Sequence, residues 1–229
     1  MQLIYSYHDF LGPVGRVITA TEAYGVKRPS PSHRPFVGMC MVSSIDGSTV
    51  VEDLVNGNSA ALSSAADREV LFALRAHADI VVVGAGTVRD EGYGVPRKAG
   101  QRVAVVSRTG NVDASAPLFT SRAGFLVMPE NAPAHSIETL RAGVDDVDLE
   151  LILRQLNASF VQLEGGSVLN AAMVAADLVD EVNLTVSPQV TGGVGPRLTT
   201  NAPDLAHRFR LQHVLEDEGF LFLRYLRDR

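Results

Sequence analysis

The sequence predicts an α/β domain built on a mixed β-sheet, with a parallel core, antiparallel C-terminal strands and helices on both faces. Three observations carry this. Short β-branched runs alternate with segments of helical spacing through the middle of the chain. Two of those runs stop at glycine turns that open directly into a helix. The last three apolar runs have no helical segment between them, so they pair as an antiparallel set.

Residues 1–35 are broken by Gly12-Pro13, Gly25, Pro29, Pro31 and Pro35. They read as an N-terminal extension draped over a main domain of residues 36–229. The domain opens with the apolar run Phe36–Ser44, which ends in the turn Ile45-Asp46-Gly47. A helix follows. Ser64 caps it, Asp67 completes a capping box, and Val70, Leu71, Leu74 and Ala78 share its buried face. Strands are expected at 80–83, 103–106, 125–128 and 160–163, and helices at 149–156 and 167–176. Segments 181–187, 209–215 and 220–226 form the antiparallel finish.

Composition narrows the function. In 229 residues, 46% are apolar, enough for a core in one large domain. A net charge of −6 leaves no basic footprint for nucleic acid. No apolar run reaches membrane-spanning length, and no secretory leader is visible at the N-terminus. Cys40 is the only cysteine, which suits a reducing cytoplasm and rules out an internal disulfide or a cysteine-built zinc site. The six histidines lack metal-ligand spacing and read as surface or loop residues, so no metal is expected. No G-x-S-x-G elbow supports a serine hydrolase.

The informative feature is a repeated arrangement of apolar strand, glycine turn and helix start. It occurs at Val83-Gly84-Ala85-Gly86-Thr87 and at Leu163-Glu164-Gly165-Gly166-Ser167. Glycines let a phosphate approach the backbone, and a helix N-terminus offers unpaired N–H groups. Two such turns can grip two parts of a dinucleotide. The Rossmann fingerprint is not met, because Arg89 stands where its third glycine belongs. Past the 103–106 strand, Ser107-Arg108-Thr109 offers a hydroxyl and a guanidinium instead of a ribose-binding acid. That favours a 2′-phosphate and hence NADPH.

In this order the segments resemble the riboflavin biosynthesis reductase domain family, whose fold is dihydrofolate-reductase-like. The motifs are Ser44-Ile45-Asp46-Gly47, Leu74-Arg75-Ala76, Val83-Gly84-Ala85-Gly86-Thr87-Val88-Arg89, Glu164-Gly165-Gly166-Ser167-Val168-Leu169 and Leu178-Val179-Asp180-Glu181. Pro188-Gln189-Val190 with Gly192-Gly193 matches a later strand and turn. The resemblance implies a homodimeric, NADPH-dependent reductase of 5-amino-6-(5-phosphoribosylamino)uracil. It implies cofactor contacts at Thr87, Glu91, Ser107 and the segment Gly165, Gly166, Ser167, Val168 and Leu169, with Arg108 alongside. It places substrate contacts at Ser59, Arg75, Arg97 and Glu164. Glu164 is expected to bond the substrate and help protonate it, with Asp46 as a second acid.

Three positions depart from the family pattern, at Cys40 where a lysine is common, at Ala61 where an aromatic is common, and along Arg89–Gly94. All three concern the substrate side. The zinc ligands of the deaminase that often accompanies the domain do not occur in this sequence. Two alternatives therefore stay open: a pterin or dihydrofolate reductase with the same fold, and a nucleotide-binding regulatory module without turnover.

Overall fold

The apolar runs assemble into one ten-stranded sheet. The computed structural model describes residues 1–51 and 59–229. The strands are β1 (Gln2–Ser6), β2 (Phe36–Ser43), β3 (Ile80–Gly84), β4 (Arg102–Val106), β5 (Gly124–Met128), β6 (Thr139–Arg141), β7 (Phe160–Leu163), β8 (Glu181–Val186), β9 (Phe209–Asp217) and β10 (Phe220–Arg227). Their spatial order is β1-β9-β10-β8-β2-β7-β3-β4-β5-β6. Strands from β8 through β2, β7, β3, β4 and β5 to β6 run parallel. β8, β10, β9 and β1 pair antiparallel. This is the mixed sheet the sequence predicts.

Side chains alternate across the sheet, so each strand feeds two layers. Val82, Ala104, Val127 and Val161 pack with Ile152 and Leu153 of helix α5 (Leu149–Gln155) and with Leu169 and Met173 of α6 (Ser167–Ala175). Val81, Val83, Val103 and Val105 pack on the opposite face with Val88 of α3 (Ala85–Glu91) and Leu118 and Phe119 of α4 (Pro117–Thr120). A further cluster joins α1 (Ala20–Tyr24) to α2 (Ala65–His77) through Tyr24, Val70 and Leu74.

The first 35 residues do more than drape over the domain. β1 forms the sheet edge beside β9, and Leu3, Ile18 and Tyr24 are buried. Arg28 reaches Glu181, donating from Nε at 3.1 Å and from Nη2 at 2.7 Å. Arg224 donates to the same carboxylate from the other side at 2.7 Å. Proline and glycine punctuation hides this integration, because the anchoring groups lie far apart in sequence. His213, which reads as a surface residue in the sequence, is buried in β9 with its ring edge-on to Tyr24.

Candidate active site

A cleft of about 1120 Å³ lies at the carboxyl ends of the central parallel strands, where Cys40, Gly84, Ser107 and Glu164 meet. It exceeds the span of an ordinary single-metabolite pocket, roughly 300–1,000 Å³. That volume leaves room for a cofactor and a substrate together.

One half is built from the two glycine turns. The Gly84 N–H donates to the Gly165 carbonyl at 2.7 Å, which ties the end of β3 to the end of β7. Gly165 has φ +91°, a conformation that side-chain-bearing residues avoid. A Cβ on Gly166 would sit 3.0 Å from the Thr87 hydroxyl oxygen. Neither α3 nor α6 has a side-chain cap, so their first-turn N–H groups stay open toward the cleft. Thr87, Gly166, Ser167, Val168 and Leu169, the residues the resemblance assigns to the cofactor, line it. Gly165 supports the turn without lining the cleft. These turns can hold a diphosphate, so the chain's residues fit a dinucleotide cofactor. Beyond them, the Ser107 hydroxyl accepts from the Gly110 N–H at 3.0 Å and shapes the loop that carries Arg108. Arg108 lines the cleft and lies 3.7 Å from Asp146, both well exposed. Arg89 donates to the Asn111 carbonyl at 2.7 Å and lines the same end.

The other half centres on Glu164, which is 7% exposed. Arg75 grips it with two parallel bonds, Nε to Oε1 at 2.6 Å and Nη2 to Oε2 at 2.5 Å. The Tyr93 hydroxyl donates to Oε2 at 2.6 Å, and the Gln162 amide donates to Oε1 at 2.8 Å. Burial, and then the Glu164 charge, push the Tyr93 phenol well up, so it keeps its proton. Arg75 was expected to line the site only because of the family resemblance. Its helical position is beside the buried face of α2, and the cleft lies there.

Ser59 and Glu91, assigned to different ligands, touch each other: the Ser59 hydroxyl donates to Glu91 Oε1 at 2.6 Å on the cleft rim. Two expected residues lie elsewhere. The Arg97 guanidinium stacks on the Phe72 ring at 4.0 Å, away from the cleft lining. Asp46 also stays out of it. Its carboxylate accepts from the Ser44 hydroxyl at 2.6 Å and from the N–H groups of Thr191 and Gly192 at 3.2 and 2.8 Å. The Ser44 bond, then the backbone N–H groups, hold Asp46 down to about 2. This carboxylate clamps the loop after β8 onto the end of β2, which is the work of a turn-forming aspartate.

Sequence reasoning missed Tyr93 and Gln162. Tyr93 sits in the Arg89–Gly94 departure, where no spacing flags it. Gln162 left a signal: a polar residue in an apolar strand, two positions before Glu164 and therefore on its face. Among the described residues, no group of histidine, cysteine and acids has the geometry to hold a metal, and no helix is long and apolar enough to cross a membrane.

Comparison with known proteins agrees with this architecture. The RibD C-terminal domain model matches residues 35–220, and the chain belongs to that family. It is an oxidoreductase domain, as its curated reductase relatives indicate, and its mixed α/β fold is that of solved RibD reductases. A relative from Methanothermobacter thermautotrophicus is 27% identical over 203 residues, covering 78% of this chain and 91% of its own; it is the 2,5-diamino-6-ribosylamino-4(3H)-pyrimidinone 5′-phosphate reductase. A pyrimidine reductase-like protein of Corynebacterium diphtheriae superposes with a TM-score of 0.79 at 21% identity, covering 93% of this chain and 100% of that one. The deaminase/5-amino-6-(5-phosphoribosylamino)uracil reductase of Thermotoga maritima superposes at 0.68 with 22% identity, covering 85% of this chain and 57% of that one.

Proposed function

We propose that this chain binds NADPH across its two glycine turns and reduces the ribose side chain of a phosphoribosylamino-pyrimidine in riboflavin biosynthesis. One observation carries the reading: the Arg75–Glu164–Tyr93 cluster borders the uncapped start of α6 in a single cleft. Acceptor, cation and phenol thus meet where a diphosphate-anchored cofactor would end.

A bound reduced nicotinamide supplies the hydride. The protein's part is placement and polarisation. Arg75 fixes the Glu164 carboxylate with a planar fork, which leaves it little freedom to rotate. A sugar hydroxyl entering beside Tyr93 takes the Tyr93 place on Glu164 Oε2. The released Tyr93 O–H then donates to the sugar oxygen that gains charge, an arrangement that favours the transition state over the ground state. Ser59 and Glu91 fix the rim, and Arg108 with Arg89 offers the positive charge that a 2′-phosphate needs. Asp46 takes no part in this scheme.

The family resemblance supports a homodimer, which light scattering at assay concentration reads. The lone Cys40 supports a cytoplasmic setting. Kinetics test the activity itself: Tyr93→Phe should lower kcat about 10- to 100-fold with NADPH affinity unchanged. Unchanged kcat would remove Tyr93 from the reaction.

A further inference from the structure

Asp67, Leu71 and Arg75 line the cleft at four-residue intervals, so they form one stripe along α2. The stripe runs about 12 Å, eight residues at 1.5 Å each. Arg75 at one end is committed to Glu164. Asp67 at the other end is not committed to any cation among the described residues. Its Oδ2 accepts from the Ser63 hydroxyl at 2.6 Å. No donor of the described chain bonds its Oδ1. The capping box expected from the sequence is only half formed: the Asp67 N–H donates to the Ser64 hydroxyl at 3.0 Å, but the Asp67 side chain does not return to the Ser64 backbone. The cleft floor beside it is Cys40, and burial, then the Asp67 and Glu164 carboxylates, push that thiol up.

A half-buried carboxylate with an open oxygen selects a ligand edge that presents two adjacent N–H donors. The two pyrimidines named for the relatives differ at this point. The 2,5-diamino-4(3H)-pyrimidinone carries an exocyclic 2-amine beside its ring N–H. The uracil carries a carbonyl there, whose lone pairs face the carboxylate. Resting on the reductase reading, we infer that Asp67 is a specificity residue that accepts from the 2-amine and ring N–H, so this chain reduces the 2-amino pyrimidine before deamination. A dihydropterin presents the same edge and is the other source of that chemistry.

The experiment compares kcat/KM for the diaminopyrimidinone ribosyl phosphate, its deaminated uracil counterpart and dihydrofolate, in the wild type and in Asp67→Asn. A site built to bond a substrate N–H rejects an analogue that lacks it, here by about 30-fold or more in favour of the 2-amino pyrimidine phosphate. Asp67→Asn should lower that substrate through KM and raise the uracil, because an amide N–H can donate to the C2 carbonyl. NADPH affinity and the melting temperature are measured alongside. Wild-type preference for the uracil, or an equal loss on both pyrimidines in Asp67→Asn, would overturn the inference. Preference for dihydrofolate would keep the edge recognition and overturn the pyrimidine phosphate as its source. Silence with all three would sink the reductase reading instead. Calorimetry with the two pyrimidines then decides the inference: equal affinity overturns it, and tighter binding of the 2-amino form supports it.

Discussion

Two sets of helix starts in this molecule are built differently. Thr19, Ser64 and Asp148 close α1, α2 and α5 with side-chain acceptors, and Glu22 completes a reciprocal box at α1. Gly84 and Gly166 open α3 and α6 with none, and both starts line the cleft; α4 also lacks a side-chain cap, but it lies outside the cleft and Pro117 removes one of its first-turn N–H groups. A cap satisfies N–H groups and stabilises the helix. Leaving those groups unsatisfied costs stability, which a bound anion returns. The contrast marks the cleft as the place where the fold gives up local stability for binding.

The largest effect is expected where the open starts meet the chemistry. Glu164→Gln should lower kcat by about 10²–10⁴-fold, within the range for a positioned acid–base or anchoring group. NADPH affinity, read by calorimetry, should stay within a factor of two or so of wild type, since Glu164 lies beyond the diphosphate turn. Loss of both together would show that the carboxylate supports the turn rather than the reaction.

Next comes the buried charge cluster that ties the N-terminal segment to the sheet. Arg28→Met leaves Glu181 with one cation fewer and should cost about 3 kcal/mol, seen as a lower denaturant midpoint. The same cluster gives stability its acid dependence. Burial alone would raise Glu181, but Arg224 and Arg28 override it and hold it at about 2. Its contribution is complete above the usual carboxylate value of 4.5 and is lost as pH falls toward 2. Burial, and then Arg224, push His213 down to about 3, so it stays neutral in the fold while the unfolded chain takes a proton below 6.5. Its contribution therefore falls between pH 6.5 and 3. Both groups act in one direction: stability should drop on acidification from pH 6.5, and His213→Phe should flatten the upper part of that slope.

Gly166→Asp tests the open starts themselves. It supplies the missing cap and repels a diphosphate, so NADPH should bind about 100-fold more weakly; Gly166→Ala, which sets the same Cβ against the Thr87 hydroxyl without the charge, should weaken NADPH less and so separates charge from crowding. The smallest effect belongs to the closed set. Thr19→Ala should cost about 1 kcal/mol. In a chain of this size that lowers the melting temperature by roughly 2–4 °C. NADPH affinity should not move. If Thr19→Ala weakened NADPH, the two sets of helix starts would not be separate in function.

Much of this was legible in the sequence because it is local. β-branched runs named the parallel strands, and a glycine pair after each of two strands named the turns. Glu164 follows directly from its turn. The rest depends on distance in the chain. Tyr93 reaches Glu164 across 71 positions, and Arg28 reaches Glu181 across 153, with no periodicity to announce either. β1 pairs with β9 and buries Leu3 in one cluster with Leu215, a partner at the far end of the chain that nothing in β1's own sequence announces. Asp46 misled for a local reason: Asp-Gly fits a turn and an active-site acid equally well, and only its bonds to Ser44, Thr191 and Gly192 separate the two.

The decisive measurement mixes the protein and NADPH with a phosphoribosylamino-pyrimidine and follows the loss of reduced-nicotinamide absorbance. The account predicts one NADPH oxidised per pyrimidine reduced, cut sharply in Gly166→Asp at cofactor concentrations that just saturate the wild type and restored toward it by more NADPH, and slowed in Glu164→Gln at any concentration. Tight NADPH binding with no oxidation by either pyrimidine would contradict it and leave a nucleotide-binding module in its place.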